Sequence, residues 1–147
     1  MQRSVLLGEY EVTLDAKNRV AVPARLRPAF EGGIFLTRGF EPCILAYPPD
    51  DWDRRLAKRV EALDDMDEQG RMVQRYVFGN AVGDRLDGQG RIRVPGFLLE
   101  RAGIARDLTV IGVQTHLEIW DRATWADYRK KMEEGAHAVA NQLARQQ

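Results

Sequence analysis

Alternating apolar and polar positions near the start of the chain predict two short strands joined by a tight turn. Tyr10, Val12 and Leu14 alternate with polar side chains, which is the period of a half-buried strand. The tetrad 15–18 is typical of a turn, because Asp accepts backbone N–H bonds at a turn start and Asn tolerates a positive φ near its end. Apolar alternation resumes over 20–22. The pattern therefore predicts a β-hairpin with one buried face and polar or basic groups at its turn.

The same pattern returns 72 positions later along the chain. Residues 14–27 read LDAKNRVAVPARLR and residues 86–99 read LDGQGRIRVPGFLL. The aligned pairs are Leu14/Leu86, Asp15/Asp87, Arg19/Arg91, Val22/Val94, Pro23/Pro95 and Leu26/Leu98. After a one-residue insertion the alignment continues with the pairs Gly39/Gly112 and Trp52/Trp125. Two copies are too few for a solenoid. We therefore expect repeats over 8–52 and 81–125 to form one pseudo-twofold domain, each half covering the other's apolar face.

Each repeat continues with a short helix, two strands and a longer helix. Pro at the start of a short helix suits its first turn, and Asp50 or Asp51 is expected to cap the first longer helix. The expected bounds are 24–30 and 96–102 for the short helices, 34–37, 43–47, 108–113 and 116–120 for the strands, and 52–63, 66–77 and 122–143 for the longer helices. A helical linker over 53–80 and a C-terminal helix and fraying tail over 126–147 complete one compact domain.

Composition and charge narrow the protein class. The chain has 147 residues with 22 basic and 22 acidic side chains, which excludes a strongly basic wrapping protein but leaves room for a local basic face. A single cysteine excludes an intrachain disulfide framework. The apolar run from Val5 to Leu7 is too short for a signal peptide, and no stretch approaches a membrane span. We expect a cytoplasmic protein without a membrane partner.

Residues with catalytic potential are few and scattered. Ser4 stands near the terminus, and Cys43 and His116 form a conceivable pair, although Cys43 on an apolar strand is more simply a small buried hydrophobe. No zinc-ligand spacing and no phosphate-binding glycine pattern occurs. Asp15 and Asp87 are better placed to cap turns than to act as paired catalytic carboxylates. We therefore expect no enzyme, no metal and no cofactor.

Basic side chains concentrate in the two repeated segments. Residues 15–30 carry a charge of +3 and residues 84–101 carry +1, whereas residues 50–71 carry −3. Two interpretations stay open. A two-stranded β-ribbon can enter the major groove, where Arg19 and Arg91 would pair with guanine. Alternatively, each arginine pairs with the aspartate four residues before it, and the charges only solvate the turns.

The repeated motifs resemble the Asp-x-x-Gly-Arg motifs of the MraZ family. The likeness extends to GEYEVTLD near the start, TRGFEPCILAYPPDDW in the first repeat and VIGVQTHLEIWDRATW in the second, and covers about 8–128. The resemblance implies an α+β fold: a pseudo-twofold swapped-hairpin β-barrel of two AbrB-like halves with flanking helices. It also implies a bacterial, nucleoid-associated transcription factor, usually an autorepressor of the division and cell-wall gene cluster. Such a protein binds short tandem DNA repeats and assembles into ring-shaped homo-oligomers.

The family's DNA-contacting positions correspond to turn residues in both repeats. They are Lys17, Asn18 and Arg19 in the first repeat and Gln89, Gly90 and Arg91 in the second. Arg25, Arg27 and Arg93 join Lys17 as expected phosphate contacts. The first repeat departs from the family in having Asn18 instead of Gly, and the second has Gln89 where Lys would bind phosphate better. We therefore expect the first repeat to read DNA more strongly.

Two alternatives concern partners. Trp52 and Trp125 serve either a subunit interface or packing within their own barrel. A swapped-hairpin domain also need not bind DNA, so an AbrB-like protein-interaction or scaffold module is the second hypothesis.

Overall fold

The computed structural model describes residues 5–146, so Ser4 and the last residue of the expected tail lie outside the described residues. Over this range the fold is α+β, with a largely antiparallel sheet and several helices. The strands are β1 Leu6–Thr13, β2 Arg19–Ala21, β3 Ile34–Arg38, β4 Cys43–Tyr47, β5 Val82–Asp84, β6 Arg91–Arg93, β7 Asp107–Gln114 and β8 Leu117–Asp121. The predicted strands of both repeats are therefore present, most with ends shifted by a residue or two.

The helices follow the same repeat. The short helix α1, Ala24–Phe30, is a 3₁₀ helix, and its counterpart α4 is Gly96–Arg101. Three helical segments, Pro49–Asp51, Trp52–Ala57 and Lys58–Glu61, run on without a break as α2, and the middle one is π-helical. The remaining helices are α3, Glu68–Gly79, and α5, Arg122–Arg145. Among the described residues no helix combines the length and apolar character of a membrane span.

Strands are exchanged between the two repeats. The six-stranded sheet has the order β1-β7-β8-β4-β3-β5, and β2 pairs with β6 in a separate two-stranded ribbon. In the repeat, β1 corresponds to β5, β3 to β7 and β4 to β8. Exchanging each strand of the sheet for its counterpart gives the same order read from the other end. A pseudo-twofold axis produces this relation. The hairpin predicted from local alternation is wrong, because β1 pairs with β7 and β2 pairs with β6. A closed barrel is not shown, since β1 and β5 are the two edges of an open sheet.

One apolar core joins the sheet, the ribbon and the short helices of both repeats. Val20 and Ile92 face each other across the ribbon and are each 1% exposed. They pack in the same cluster as Leu36 of β3 and Leu108 of β7. Because half of this cluster comes from each repeat, neither repeat buries its apolar face alone.

Two smaller clusters hold the tryptophans. Trp52 packs with Tyr47 and Val77, and Trp125 packs with Cys43 and Trp120. The two tryptophans are only 8% and 7% exposed, because side chains of the same chain cover them. Their role in this structure is therefore packing within the fold.

The expected aspartate cap of α2 is wrong. Pro48 stands at the N-cap position and no side chain caps the helix. Asp51 is instead buried in the first turn, where its Oδ1 accepts a 3.0 Å bond from Arg55 Nε. Asp67, by contrast, caps α3 by accepting a bond from Gln69 N.

Candidate nucleic-acid interface

The turn before β2 is organised by the carboxylate of Asp15. Its Oδ1 accepts backbone N–H bonds from Lys17 (2.8 Å) and Arg19 (2.9 Å), and its Oδ2 accepts a 2.6 Å bond from Arg19 Nε. The backbone closes the turn through Asn18 N donating to the Asp15 carbonyl. One carboxylate therefore holds the loop and fixes the direction of the arginine side chain.

The turn before β6 repeats this geometry. Asp87 Oδ1 accepts bonds from Gln89 N and Arg91 N, and Asp87 Oδ2 accepts from Arg91 Nε, each at 2.9 Å. Gly90 N donates to the Asp87 carbonyl, as its counterpart does in the first turn. The repeat in sequence is thus a repeat of one hydrogen-bonded turn.

Both turns pass through the left-handed region at the same position. Asn18 has φ 59 and Gly90 has φ 75. Asn tolerates this conformation better than most residues. The expectation that the turn survives Asn in place of Gly is confirmed.

Backbone hydrogen bonds lower the pKa values of both turn carboxyls. The Arg19 N–H is the main cause that lowers the pKa of Asp15 to about 2, with the Arg19 guanidinium and the Lys17 N–H adding to it. The Arg91 N–H is likewise the main cause that lowers the pKa of Asp87. Both groups are therefore carboxylates at neutral pH, and the structural turn role expected for them agrees with their bonds.

The ribbon points its arginines away from the core. Arg19 lies opposite Arg93 and Ala21 lies opposite Arg91, while the residues between them face inward. Asp15 Oδ2 also lies 3.9 Å from an Nη of Arg91, so the two repeats share this carboxylate. Arg91 thus stands near two carboxylates and Arg19 near one, which makes the second turn the more neutralised.

The two turns stand at opposite ends of the ribbon. Val22 N donates to the Gly90 carbonyl and Val94 N donates to the Asn18 carbonyl, each at 2.9 Å, which extends the ribbon by one residue at each end. Five residues of extended chain from Asn18 to Val22 span about 13 Å. The ribbon between the two turns is therefore about 13 Å long, which is comparable to the roughly 12 Å width of a major groove.

Arg27 is half-buried, whereas a side chain that contacts phosphate is expected to be exposed. Its Nε donates a 2.7 Å bond to the Val22 carbonyl, and its side chain lies directly under Gly90. A Cβ at position 90 would overlap the Nε and Cδ atoms of Arg27. Arg27 therefore supports the second turn, a role that the sequence pattern did not reveal.

The other candidate residues are exposed around the ribbon. They are Lys17, Arg25, Gln89 and Arg93. Within residues 5–146, Lys17, Arg25 and Arg93 make no ion pair. The charges of these three side chains are therefore not offset by a carboxylate partner within the described residues.

The Cys43 and His116 pair is not assembled. Cys43 is buried beside Trp120 and Trp125, and burial raises the pKa of its thiol to about 12. His116 stacks on Tyr47 at 4.5 Å instead, and burial lowers its pKa. Over the part of the chain that the structure describes, no group of three or more His, Cys, Asp or Glu side chains is placed to hold a metal ion.

Comparisons with known proteins agree with the repeated geometry. The sequence model of one family, described as "MraZ protein, putative antitoxin-like", matches residues 5–76 and again residues 77–146. A protein named transcriptional regulator MraZ from Roseiflexus castenholzii is 39% identical over 140 residues, which are 95% of this chain and 97% of that protein. Proteins of the same name from Desulfitobacterium hafniense and Heliobacterium modesticaldum are 37% and 35% identical over 139 residues, which are 95% of this chain and 96% of each relative.

Proposed function

This chain belongs to the MraZ family, and on that premise we propose that it is a transcriptional regulator that binds double-stranded DNA through the β2–β6 ribbon and its two end turns. The observation that carries the proposal is the pair of equivalent Asp–Arg turns at opposite ends of one ribbon, with Arg19, Arg91 and Arg93 facing outward. A two-stranded β-ribbon can enter the major groove.

The arginines of the two turns are pre-oriented for contact. In Arg19 and Arg91, Nε is bonded to a carboxylate, which leaves the Nη groups as the donors for a guanine edge or a phosphate. A side chain that is already held in place loses less conformational entropy on binding. The bond to aspartate and the contact with DNA are therefore compatible roles of the same guanidinium.

Phosphate contacts fall to cations without a carboxylate partner. Lys17, Arg25 and Arg93 fit this role, and they set the register of the ribbon on the duplex. Arg27 acts indirectly, by supporting the turn that presents Arg91. The first turn, with Lys17 and the less neutralised arginine, contributes more of the affinity.

The family membership supports finer proposals. The chain would act as an autorepressor at short tandem repeats upstream of the division and cell-wall gene cluster, as a cytoplasmic, nucleoid-associated protein. Its halves, 8–52 and 81–125, would be AbrB-like swapped hairpins, with a linker over 53–80 and a C-terminal helix and tail over 126–147. A head-to-tail contact that closes would give a ring. Several ribbons on one ring would then bind neighbouring repeats with gains from effective concentration. Neither enzymatic activity nor a cofactor is part of the proposal.

Fluorescence anisotropy with the DNA upstream of the protein's own gene tests the proposal. A scrambled duplex is the DNA control, and Arg54→Ala removes an exposed arginine of α2 as the matched protein control. We expect Arg19→Ala to abolish specific binding with little change in melting temperature, and Arg54→Ala to leave binding unchanged. Lys17→Ala should reduce the slope of log K against log salt by about 0.9, the value for one phosphate contact.

Two results would contradict the proposal that the β2–β6 ribbon binds the operator DNA. Normal binding by Arg19→Ala would show that the ribbon does not contact the operator. Equal, weak binding of the wild type to both duplexes would leave only a charged surface, and the interaction or scaffold module without DNA binding would then be the better hypothesis.

A further inference from the structure

Each end of the β2–β6 ribbon joins the turn of one repeat to the short helix of the other. The Val94 N–H donates to the Asn18 carbonyl, so α4 begins beside the first turn. The Val22 N–H donates to the Gly90 carbonyl, so α1 begins beside the second turn. We call the first turn together with α4 the first-turn end, and the second turn together with α1 the second-turn end.

The two ends differ at the second residue of their short helices. At the second-turn end this residue is Arg25, an exposed cation. At the first-turn end the aligned residue is Phe97, which is also exposed but carries no charge. The pseudo-twofold axis relates the two residues, so a duplex bound along the ribbon would meet them at equivalent places. The first-turn end therefore has an aromatic ring where the second-turn end has a guanidinium.

Arg101 brings a positive charge back to this place. It follows Phe97 by four residues, which puts both side chains on one face of α4. Helical side chains lean towards the N-terminus of their helix, so the guanidinium of Arg101 reaches back towards the ribbon. Its Cζ atom lies 5.0 Å from the centre of the Phe97 ring. The corresponding stretch of the first repeat, Pro28 and Ala29, has no charge, so each end carries one cation here from a different position of its helix.

Two hydrogen bonds hold Arg101 in addition to the ring. Its Nη1 donates a 2.7 Å bond to Oδ1 of Asn80, a residue that is 8% exposed. Its backbone carbonyl accepts a 3.0 Å bond from an Nη of Arg38, at the end of β3. Neither partner is negatively charged, and none of the ion pairs formed by residues 5–146 includes Arg101. A ring and an amide therefore fix the direction of this guanidinium without offsetting its charge.

We propose that Arg101 contacts a DNA phosphate at the first-turn end, as the counterpart of Arg25 at the second-turn end. The inference rests on the proposed binding of DNA by the ribbon, and it adds a residue that lies outside the repeated turn motif. A guanidinium that is already held loses less conformational entropy when it binds phosphate. Its Nε and Nη2 make no hydrogen bond within the described residues and are the donors for this contact. Lys17 of the adjacent turn gives the same end a second cation.

The salt dependence of DNA binding, measured by anisotropy, tests the contact. Arg101→Ala should reduce the slope of log K against log salt by about 0.9. It should weaken binding to the upstream fragment and to the scrambled duplex by the same factor, because a phosphate contact carries no sequence information. Adding Phe97→Arg to Arg101→Ala should restore the slope, because the double variant reproduces the arrangement of Arg25 and Ala29 in the first repeat. Arg54→Ala, which removes an exposed arginine of α2, is the matched control and should leave the slope unchanged.

A purely structural role for Arg101 predicts different results. If Arg101 only ties α4 to Asn80, Arg101→Ala lowers the melting temperature and leaves the slope unchanged, and Phe97→Arg restores nothing. An unchanged slope, or a reduced slope that Phe97→Arg does not restore, overturns the inference. Arg101→Gln keeps a side-chain amide without the charge, and it takes the place of Arg101→Ala if that variant does not fold. Failure of the proposed function is recognised separately, because Arg19→Ala would then bind DNA as well as the wild type.

Discussion

Replacing Gly90 by Ala tests whether the second turn depends on its close approach to Arg27. Alanine at φ 75 costs about 1–2 kcal/mol in the left-handed region. The new Cβ also displaces Arg27, whose Nε donates a 2.7 Å bond to the Val22 carbonyl, and losing a bond of this charged type costs about 1.5–3 kcal/mol. The two effects together should lower the free energy of unfolding by about 2.5–5 kcal/mol.

A double-mutant cycle separates the two effects. In an Arg27→Leu background the collision is absent, and Gly90→Ala should then cost only the backbone strain, so that the two changes couple by about 1.5–3 kcal/mol. The turn of the first repeat already combines a residue that has a Cβ with a leucine in place of the arginine. Asn18 occupies the position aligned with Gly90, and buried Leu99 is aligned with Arg27. Gly88→Ala is the control, since a Cβ there meets no atom within 4 Å and the change should stay within about 0.5 kcal/mol.

Urea denaturation followed by circular dichroism measures all four members of the cycle. The m-value should not change, because the same surface is exposed on unfolding. If Gly90→Ala costs the same with Arg27 and with Leu at position 27, the close approach of Arg27 to Gly90 plays no part in the stability of the turn.

Three further predictions follow from burial and from the shifted pKa values. The carboxylate of Asp15 stabilises the fold fully above its ordinary pKa of 3.8 and loses that effect as the pH falls through about 2. The difference in melting temperature between the wild type and Asp15→Asn should therefore be constant at neutral pH, decrease as the pH falls below about 4 and reach its minimum below about pH 2. A difference that does not decrease between about pH 5 and pH 2 would contradict the role of the charge. Ile92→Ala should cost about 2–5 kcal/mol and leave a single unfolding transition, because Ile92 lies in the core that both repeats share; two separate transitions in a calorimeter would show independent halves. The buried thiol of Cys43, with its pKa raised to about 12, should react with Ellman's reagent only after unfolding in urea, and rapid reaction of the native protein would place it at the surface.

Local sequence patterns predicted the turns and most of the elements correctly. The aspartate at the first position of each turn and Asn18 or Gly90 at its fourth position specify a hydrogen-bonded loop from residues within four positions of one another. The interaction of each arginine with its own aspartate was one of two interpretations, and the structure confirms that it forms. Contact of the same arginines with DNA stays a prediction.

Local patterns did not identify what supports the turns from a distance. Arg27 lies 63 positions before Gly90, and the Leu14 N–H donates to the carbonyl of Arg106, more than 90 positions away. The sequence does contain a sign of the contact between Arg27 and Gly90, because the first repeat has the basic Arg27 where the second repeat has the apolar Leu99. The meaning of this difference becomes clear only when the structure places the second turn against the short helix of the first repeat.

The duplication, the two turns and the buried face of each strand can be predicted from the sequence, because these features depend on residues close together in the chain. The pairing of β1 with β7 and of β2 with β6 becomes apparent only when the whole fold is assembled. Alternation specifies which side of a strand faces the core, and it carries no information about which strand donates the neighbouring hydrogen bonds. With two similar repeats in one chain, pairing within a repeat and pairing between repeats satisfy the same pattern. The shared apolar core favours pairing between repeats, because only the exchanged arrangement buries Val20 and Ile92 against each other and both repeats against one sheet.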